Sequence, residues 1–349
     1  MKFYITKFTN TTLLYKAVKR FGYEVDLIEN YDGNLGYFII SSNEVRDEDK
    51  YWTKFIENKN LIFLLDDAIE GYASSERPEY TYFYSKLDEF GIHRSRGIIC
   101  YNNAYHNSQG VIQYKTPNFN MLYSPIFALC TFDNWMDLNE SYPPPKYDYS
   151  YFVRNGKPHK KECYFKIREK NLENIIITYK VNRDFEDSNI LDDIEDDLID
   201  EFKFHLKPSV YYSSKVNIVA ETEYYSYKDT LPDRFEEILH LSEKTWRSIS
   251  FGLPFVLISS KNSLKEIKRL GFKTFESLID ESYDSMDDSV RMDFAINAAT
   301  ELLKYHGTDE LNDIIQYNKS LIYDNDKMGN LFENEFIKPL KKYSNNLVI

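Results

Sequence analysis

Cysteine is scarce in this chain, and no apolar run is long enough to cross a bilayer. The three cysteines, Cys100, Cys130 and Cys163, are odd in number and far apart. Their spacing argues against a disulfide framework or a zinc knuckle and favours a reducing compartment. A spanning helix needs roughly 20 apolar residues, and Met1–Arg20 lacks the apolar core and cleavage site of a signal peptide. We therefore expect a cytoplasmic protein without membrane insertion.

Several catalytic signatures are missing from the sequence as well. It contains no P-loop, no Gly-x-Gly-x-x-Gly and no Gly-x-Ser-x-Gly. No two of the six histidines have the spacing of a metal site such as His-x-x-x-His. Of these histidines, His159 lies in a basic segment where it can approach a phosphate. The sequence thus predicts neither a metal centre nor a bound cofactor.

Positive charge is in deficit, since the formal net charge is −13 and the pI is near 5.1. A protein that holds nucleic acid over a broad surface usually has a basic face. A local basic cleft is still compatible with this total. Much of the excess lies in Asp184–Glu201, whose apolar residues recur at helical spacing. This segment is predicted to be a surface helix with a solvated acidic face.

What the chain does have is a regular alternation of strands and helices. In the first half, the apolar runs Leu61–Leu65 and Gly97–Cys100 flank a helical pattern over Pro78–Phe90. Continuous apolar runs of this length are typical of strands that are buried on both faces. A strand–helix–strand order indicates a mostly parallel, Rossmann-like sheet.

A run of three prolines at positions 143–145 interrupts this alternation. Prolines fit neither a helix interior nor a central strand, and together they form a stiff connector. A chain of 349 residues is also too long for one ordinary core. We predict two α/β domains, residues 1–145 and 146–349, the second with C-terminal helices. The second domain has three predicted strands, Asn174–Tyr179, Val216–Ala220 and Pro254–Ser259.

The most informative stretch is Glu221–Ser260. It reads as a strand end, a long loop, a helix that opens with Ser242, Glu243 and Lys244, and a turn at Gly252 into a buried strand. Ligands of open parallel sheets bind beyond the carboxyl ends of strands, where helix N-termini offer unpaired N–H groups to phosphate. Lys244 would add a cation and Glu243 an acceptor for ribose hydroxyls. An ordinary N-cap with a favourable first-turn acid and a solvated lysine explains the same pattern.

The block SEKTWRSISFGLPFVLI, residues 242–258, resembles the nucleotide-sugar-binding segment of α-1,3-fucosyltransferases. It is similar also to uncharacterised, largely phage-borne glycosyltransferase-like proteins. These proteins carry the same block, a following segment like residues 262–284, and an upstream basic turn like residues 154–179. The clear resemblance spans Arg154 to about Leu303. It implies a GT-B fold with two facing Rossmann-like domains, the first for the acceptor and the second for the donor.

The resemblance also implies an activity. It is the transfer of a hexosyl or pentosyl group from a nucleotide sugar to a hydroxyl, with inversion and without a metal. The acceptor it allows is a glycan, a host protein or modified DNA, and a phage origin would place the protein in the host cytoplasm. A protein that keeps this fold as a nucleotide-sugar-binding or structural module is the alternative from another class.

Site residues follow from the same resemblance. Glu243 would bind the ribose, Lys244 the diphosphate, and Glu221 would face the sugar. Lys160, or else Arg154, stands for the arginine with which fucosyltransferases grip the phosphates. Lysine offers a point charge without the bidentate fork of arginine, and this departure is what keeps the non-catalytic alternative open.

An inverting transfer also needs a base, usually a carboxylate near the cleft. In fucosyltransferases this base follows a buried strand of the N-terminal domain. The corresponding run here offers Asp66, Asp67 and Glu70. Glu70 is the predicted base because it precedes Gly71 in a loop, although an exposed loop carboxylate without function fits the same position.

The same paired aspartates support a rival architecture. A strand that ends in two aspartates is how GT-A glycosyltransferases hold Mn²⁺ or Mg²⁺ on a diphosphate. In that reading Asp66 and Asp67 would be metal ligands and the reaction would be metal-dependent.

Overall fold

The chain divides into two compact units in a computed structural model, which describes residues 1–6, 12–41, 60–67, 78–101, 111–115, 118–123, 142–153, 157–179, 208–225 and 239–347. The first unit comprises Met1–Cys130, Tyr227–Ile238 and Asn325–Ile349, and the second comprises Thr131–Ser226 and Leu239–Asp324. The predicted boundary near residue 145 stays a prediction. Residues 325–349, which the sequence assigns to the second domain, belong to the first unit. The predicted acidic helix over Asp184–Glu201 lies outside the described residues.

The strands, in chain order, are β1 (Lys2–Ile5), β2 (Glu24–Leu27), β3 (Gly36–Ser41), β4 (Leu61–Asp67), β5 (Gly97–Tyr101), β6 (Val111–Lys115), β7 (Asn118–Tyr123), β8 (Tyr147–Val153), β9 (Ile175–Tyr179), β10 (Ser214–Ala220) and β11 (Phe255–Ile258). The α-helices are α1 (Leu13–Arg20), α2 (Pro78–Glu89), α3 (Pro158–Glu169), α4 (Pro208–Tyr211), α5 (Glu243–Phe251), α6 (Ser263–Arg269), α7 (Asp288–Leu303), α8 (Asp309–Tyr323), α9 (Asn325–Phe332) and α10 (Lys338–Asn346). Short 3₁₀ turns cover Ile28–Asn30, Arg94–Arg96 and Ser282–Ser285, and a π-helical turn covers Glu333–Ile337.

The first unit contains a seven-stranded sheet in the order β2-β1-β3-β4-β5-β7-β6. All neighbouring strands are parallel except β6, which runs antiparallel to β7. The apolar run Leu61–Leu65 forms the buried centre of β4, as its lack of alternation predicts. The core of the first unit contains aromatic rings from α2, among them Tyr80, Phe83 and Tyr84.

Helices α9 and α10 belong to the first unit and contact its N-terminal part. The ring of Phe332 lies 5.3 Å from that of Phe21 and 5.8 Å from that of Tyr23, and the Tyr37 hydroxyl donates to Ser344 Oγ at 2.9 Å. The π-helical turn stands directly before α10, whose first turn contains Pro339. Proline has no N–H to donate to the preceding turn, which accounts for the break in α-helical pairing there.

The second unit contains a four-stranded, fully parallel sheet in the order β11-β10-β8-β9. The α/β class and the two mostly parallel sheets are therefore confirmed. Helix α5 ends at Gly252, whose φ of 70° is left-handed, as the sequence predicts for a helix-closing glycine. Within the described residues, no helix is both long and apolar enough to cross a membrane.

Candidate functional site

Two helix starts lie at the carboxyl edge of the second sheet. Helix α3 follows β8 and helix α5 follows β10, and these two strands are parallel neighbours in which Val216 pairs with Tyr149 and Ile218 with Tyr151. Parallel strands place their carboxyl ends on one edge, so the N-termini of the helices that follow them gather there as well. This topology brings the predicted basic turn and the predicted Glu-Lys block together.

Glu221 anchors the start of α5. Its Oε1 accepts from the Ser242 backbone N–H at 3.0 Å and from Thr245 Oγ1 at 2.5 Å, and its Oε2 accepts from the Ser242 hydroxyl and from the Thr222 N–H. The side chain is completely buried. Ser242 in turn caps the helix, since its Oγ accepts from the Lys244 N–H at 3.3 Å. Contact of Glu221 with a sugar stays a prediction.

Lys244 lies over the first turn of its own helix. Its Nζ donates to Ser242 Oγ at 3.0 Å and to Thr222 Oγ1 at 3.3 Å, and it lies 3.2 Å from Glu243 Oε1. The side chain is 24% exposed. Burial lowers the Lys244 pKa, but the negative charges of Glu243 and Glu221 outweigh it and leave the pKa raised. For Glu243, burial raises the pKa, but the positive charges of Lys244 and Arg247 outweigh this effect and lower the pKa to about 2.

Lys160 belongs to α3 and is buried, with only 2% of its surface exposed. Burial, together with the positive charges of Lys244 and Lys157, lowers its pKa to about 8, although Glu221 and Glu243 act in the opposite direction. At neutral pH the side chain therefore remains protonated. Two ammonium groups from different helices thus repel each other at one edge of the sheet.

The start of α3 is tied to the segment that follows β10. Lys157 Nζ donates to the Thr222 carbonyl at 2.9 Å and to Glu223 Oε1 at 2.6 Å. His159 Nε2 lies 3.0 Å from the Glu221 carbonyl oxygen, to which the tautomer protonated at Nε2 donates. Burial lowers the His159 pKa to about 4, so the ring is neutral at physiological pH.

Carboxylates from other parts of the chain bind the starts of α1, α5 and α6. Asp66 accepts from the second residue of α1 at 2.9 Å, and Asp284 accepts from two N–H groups of α6 at 2.9 and 3.1 Å. Glu221 has this role at α5. Among the described residues, by contrast, no side chain caps the start of α3, and its own first turn has no acid but contains Lys160. A helix N-terminus that carries cations instead of a carboxylate is suited to an external anion.

The remaining predicted residues have separate positions. Arg154 and Glu70 lie outside the described residues, so the predicted phosphate arginine and base stay predictions. Asp66 is buried at the end of β4 with one oxygen on the α1 backbone, and Asp67 is the last residue of that strand. In the part of the chain that the structure describes, no three His, Cys, Asp or Glu side chains are grouped so as to hold a metal ion.

Sequence reasoning overlooked four residues of this site, namely Lys157, Thr222, Glu223 and Thr245. Thr245 stands three residues after the N-cap Ser242, a spacing at which capping partners occur. Its contact is Glu221, which precedes the helix by a long loop, so local spacing alone does not indicate the pair. Lys157 and Glu223 form an ion pair between two segments whose proximity depends on the pairing of β8 with β10.

Comparison with known proteins gives remote structural likenesses only. No protein-family model matches the chain, and no curated protein matches its sequence. BGT of phage T4, in a structure with UDP and Mn²⁺, shares 12% identity over 99% of both chains, at a TM-score of 0.45. A structure of the DNA-modifying enzyme β-glucosyltransferase, solved with and without uridine diphosphoglucose, shares 13% identity over 99% of both chains, at a TM-score of 0.46. The glycotransferase of kitacinnamycin shares 10% identity over 97% of both chains, at a TM-score of 0.39.

Proposed function

We propose that this chain is a glycosyltransferase whose second unit binds the diphosphate of a nucleotide sugar between the starts of α3 and α5. The observation that carries the proposal is the pair of lysines, Lys160 and Lys244. They come from two helix starts that contact the same segment after β10, and the charge of Lys244 disfavours that of Lys160. Positive charges gathered at helix N-termini favour an anion at the same edge of the sheet. A diphosphate bound between the two lysines would reduce the repulsion between them.

Glycosyl transfer makes direct use of such an arrangement. The bond between the sugar and the diphosphate breaks, and negative charge grows on the phosphate oxygen that leaves. Preorganised cations and helix N–H groups stabilise this charge in the transition state. Lys160, Lys244 and the N–H groups at the start of α3 are suited to this role, and we propose that they make a metal or other cofactor unnecessary.

The ribose of the donor and the hydroxyl of the acceptor also need partners in the protein. Glu243 is ionised and next to Lys244, so it can accept hydrogen bonds from ribose hydroxyls while Lys244 holds phosphate. Similarity to fucosyltransferases supports inversion, with Glu70 taking the proton of the acceptor hydroxyl. We propose a hydroxyl of a glycan or of modified DNA as the acceptor and the cytoplasm as the location.

Calorimetry with UDP, GDP and ADP tests the donor site. Loss of a charge-assisted contact costs about 1.5–3 kcal/mol, so Lys244→Ala and Lys160→Met should each weaken binding by roughly tenfold or more. Lys215→Ala is the matched control, because Lys215 is also on the second sheet but pairs with Asp148 near the amino end of β10. Equal affinities in the wild type and both site variants would show that the diphosphate binds elsewhere.

Turnover separates an enzyme from a binding module. A panel of nucleotide sugars, each with a glycan or DNA acceptor, should yield nucleoside diphosphate at a rate that depends on donor and acceptor. A protein that binds a nucleotide sugar tightly and releases none across the panel would support the non-catalytic alternative.

A further inference from the structure

Glu221 is the most completely engaged side chain of the donor site. It is 0% exposed, and its two oxygens together accept four hydrogen bonds. Three of these come from Ser242 and Thr245, which form the start of α5. A carboxylate that turned toward a bound sugar would have to give up these bonds inside the protein, which is costly for a buried charge.

The backbone around Glu221 holds the other helix. Its carbonyl oxygen accepts from His159, and the next carbonyl, of Thr222, accepts from Lys157. His159 is held further by stacking on Tyr224, with ring centroids 5.7 Å apart and planes 14° from parallel. One short segment after β10 therefore fastens α3 through its backbone and α5 through the Glu221 carboxylate.

The same carboxylate is the internal counter-charge of the site. Its negative charge favours the protonated forms of Lys160 and of Lys244. Among the described residues, Lys244 and Glu243 of α5 and Lys157 at the start of α3 also affect the charge of Lys160. Glu243 is shared with Lys244 as an ion pair, whereas Glu221 is buried between the two helix starts.

We propose that Glu221 is a positioning residue that sets the spacing of Lys160 and Lys244 for a diphosphate, acting through Ser242 and Thr245 without contacting the donor. The inference rests on the proposed function, because it concerns the same diphosphate site. It replaces the predicted contact between Glu221 and the sugar with an indirect role.

Thr245 offers the sharpest test, because it is 0% exposed and its hydroxyl is bonded to Glu221. Thr245→Val removes this bond and keeps the shape of the side chain, and Thr245→Ser restores the hydroxyl. We expect Thr245→Val to weaken binding of inorganic pyrophosphate and of UDP, GDP or ADP by about 3- to 30-fold, and Thr245→Ser to recover it. Ser214→Ala, a buried hydroxyl at the amino end of β10, should bind as the wild type does.

Glu221→Gln adds a readout that depends on charge. Without the carboxylate, Lys160 should lose its proton at a lower pH. The affinity for pyrophosphate should therefore start to fall at a lower pH than in the wild type. Thr245→Val keeps the charge and should keep the wild-type pH profile. Hydrogen exchange of the peptide that contains residues 242–245 should be faster in both variants.

The outcomes are distinguishable. A wild type that binds neither pyrophosphate nor any of the three nucleotides overturns the proposed function and, with it, this inference. If the wild type binds and Thr245→Val matches it in affinity and exchange, the positioning role is overturned alone. If Glu221→Gln loses affinity for the nucleotide sugar but not for pyrophosphate or the nucleoside diphosphate, Glu221 contacts the sugar and the inference is wrong.

Discussion

Lys244 Nζ lies 3.2 Å from Oε1 of Glu243, so the two residues that the sequence assigns to the donor form an ion pair with each other. Both side chains are about one-quarter exposed. Glu243 therefore has two opposed effects on an anion at Lys244. Its charge repels phosphate, and its oxygens are suited to bind a ribose.

These effects separate when ligands with and without ribose are compared. For Glu243→Gln we expect the affinity for inorganic pyrophosphate to rise, because the repulsion is lost. Affinity for the cognate nucleoside diphosphate should fall roughly tenfold, the effect of losing about 1.4 kcal/mol. Calorimetry with both ligands measures the two changes. If the affinities for both ligands change by the same factor and in the same direction, Glu243 does not recognise the ribose.

A second prediction concerns pH. Lys160 has a pKa of about 8, below its ordinary value of 10.5. Diphosphate binding favours the protonated lysine, so donor affinity should fall as the pH rises through about 8. The stability of the free protein should change in the opposite direction. Between about pH 8 and 10.5 the unfolded state holds the Lys160 proton and the folded state does not, so the free energy of unfolding rises with pH.

Denaturant titrations and calorimetry across this pH range measure both trends. Lys160→Met should remove the part of both pH dependences, of donor affinity and of the free energy of unfolding, that comes from this residue. Lys215→Met should leave both as in the wild type. If the free energy of unfolding depends on pH in the same way in the wild type and in Lys160→Met, the assigned shift of the Lys160 pKa is wrong.

Asp66 is expected to be structural. Its carboxylate accepts from the Leu14 N–H at the start of α1, a helix that has no acid in its own first turn. Asp66→Ala should lower the free energy of unfolding by about 0.5–2 kcal/mol, as loss of a helix cap does, without changing nucleotide affinity. Asp88→Ala is the control, because its ion pair with Arg94 is exposed and such pairs contribute about 0–1 kcal/mol. Reduced nucleotide affinity in Asp66→Ala would return Asp66 to the site.

Metal removal tests the rival reading. Because Lys160, Lys244 and the start of α3 are proposed to neutralise the leaving diphosphate, transfer should persist in EDTA. The measurement is release of nucleoside diphosphate before and after dialysis against the chelator. Complete loss, followed by rescue with Mn²⁺ and abolished again in Asp67→Asn, would favour a metal-dependent enzyme.

The catalytic base is the last prediction. If Glu70 takes the acceptor proton, Glu70→Gln should bind donor normally and lose transfer by ~10²–10⁴-fold, the usual effect of removing a general base. Asp66→Asn and Asp67→Asn are the matched comparisons within the same segment. Wild-type turnover in all three variants would exclude this segment from the chemistry.

Local patterns were sufficient to predict several elements of the site. Helix α5 begins after Ser242 and ends at Gly252 as the sequence predicts, because an N-cap hydroxyl and a left-handed glycine act within one turn of the helix. The buried strands β4, β5 and β11 are likewise recognisable from uninterrupted apolar runs. These features depend on residues that are close together in the chain.

Contacts between distant segments were decided by the tertiary structure. Lys160 and Lys244 share one edge because β8 pairs with β10, and no local pattern specifies which strands become neighbours. Glu221 and Asp66 became anchors of helix starts for the same reason, since the helices they hold are far away in sequence. Residues 325–349 joined the first unit because Phe332 packs on Phe21 and Tyr23. The sequence by itself determined the strands, the helix and the residue types that suit a diphosphate, whereas packing determined which of them meet.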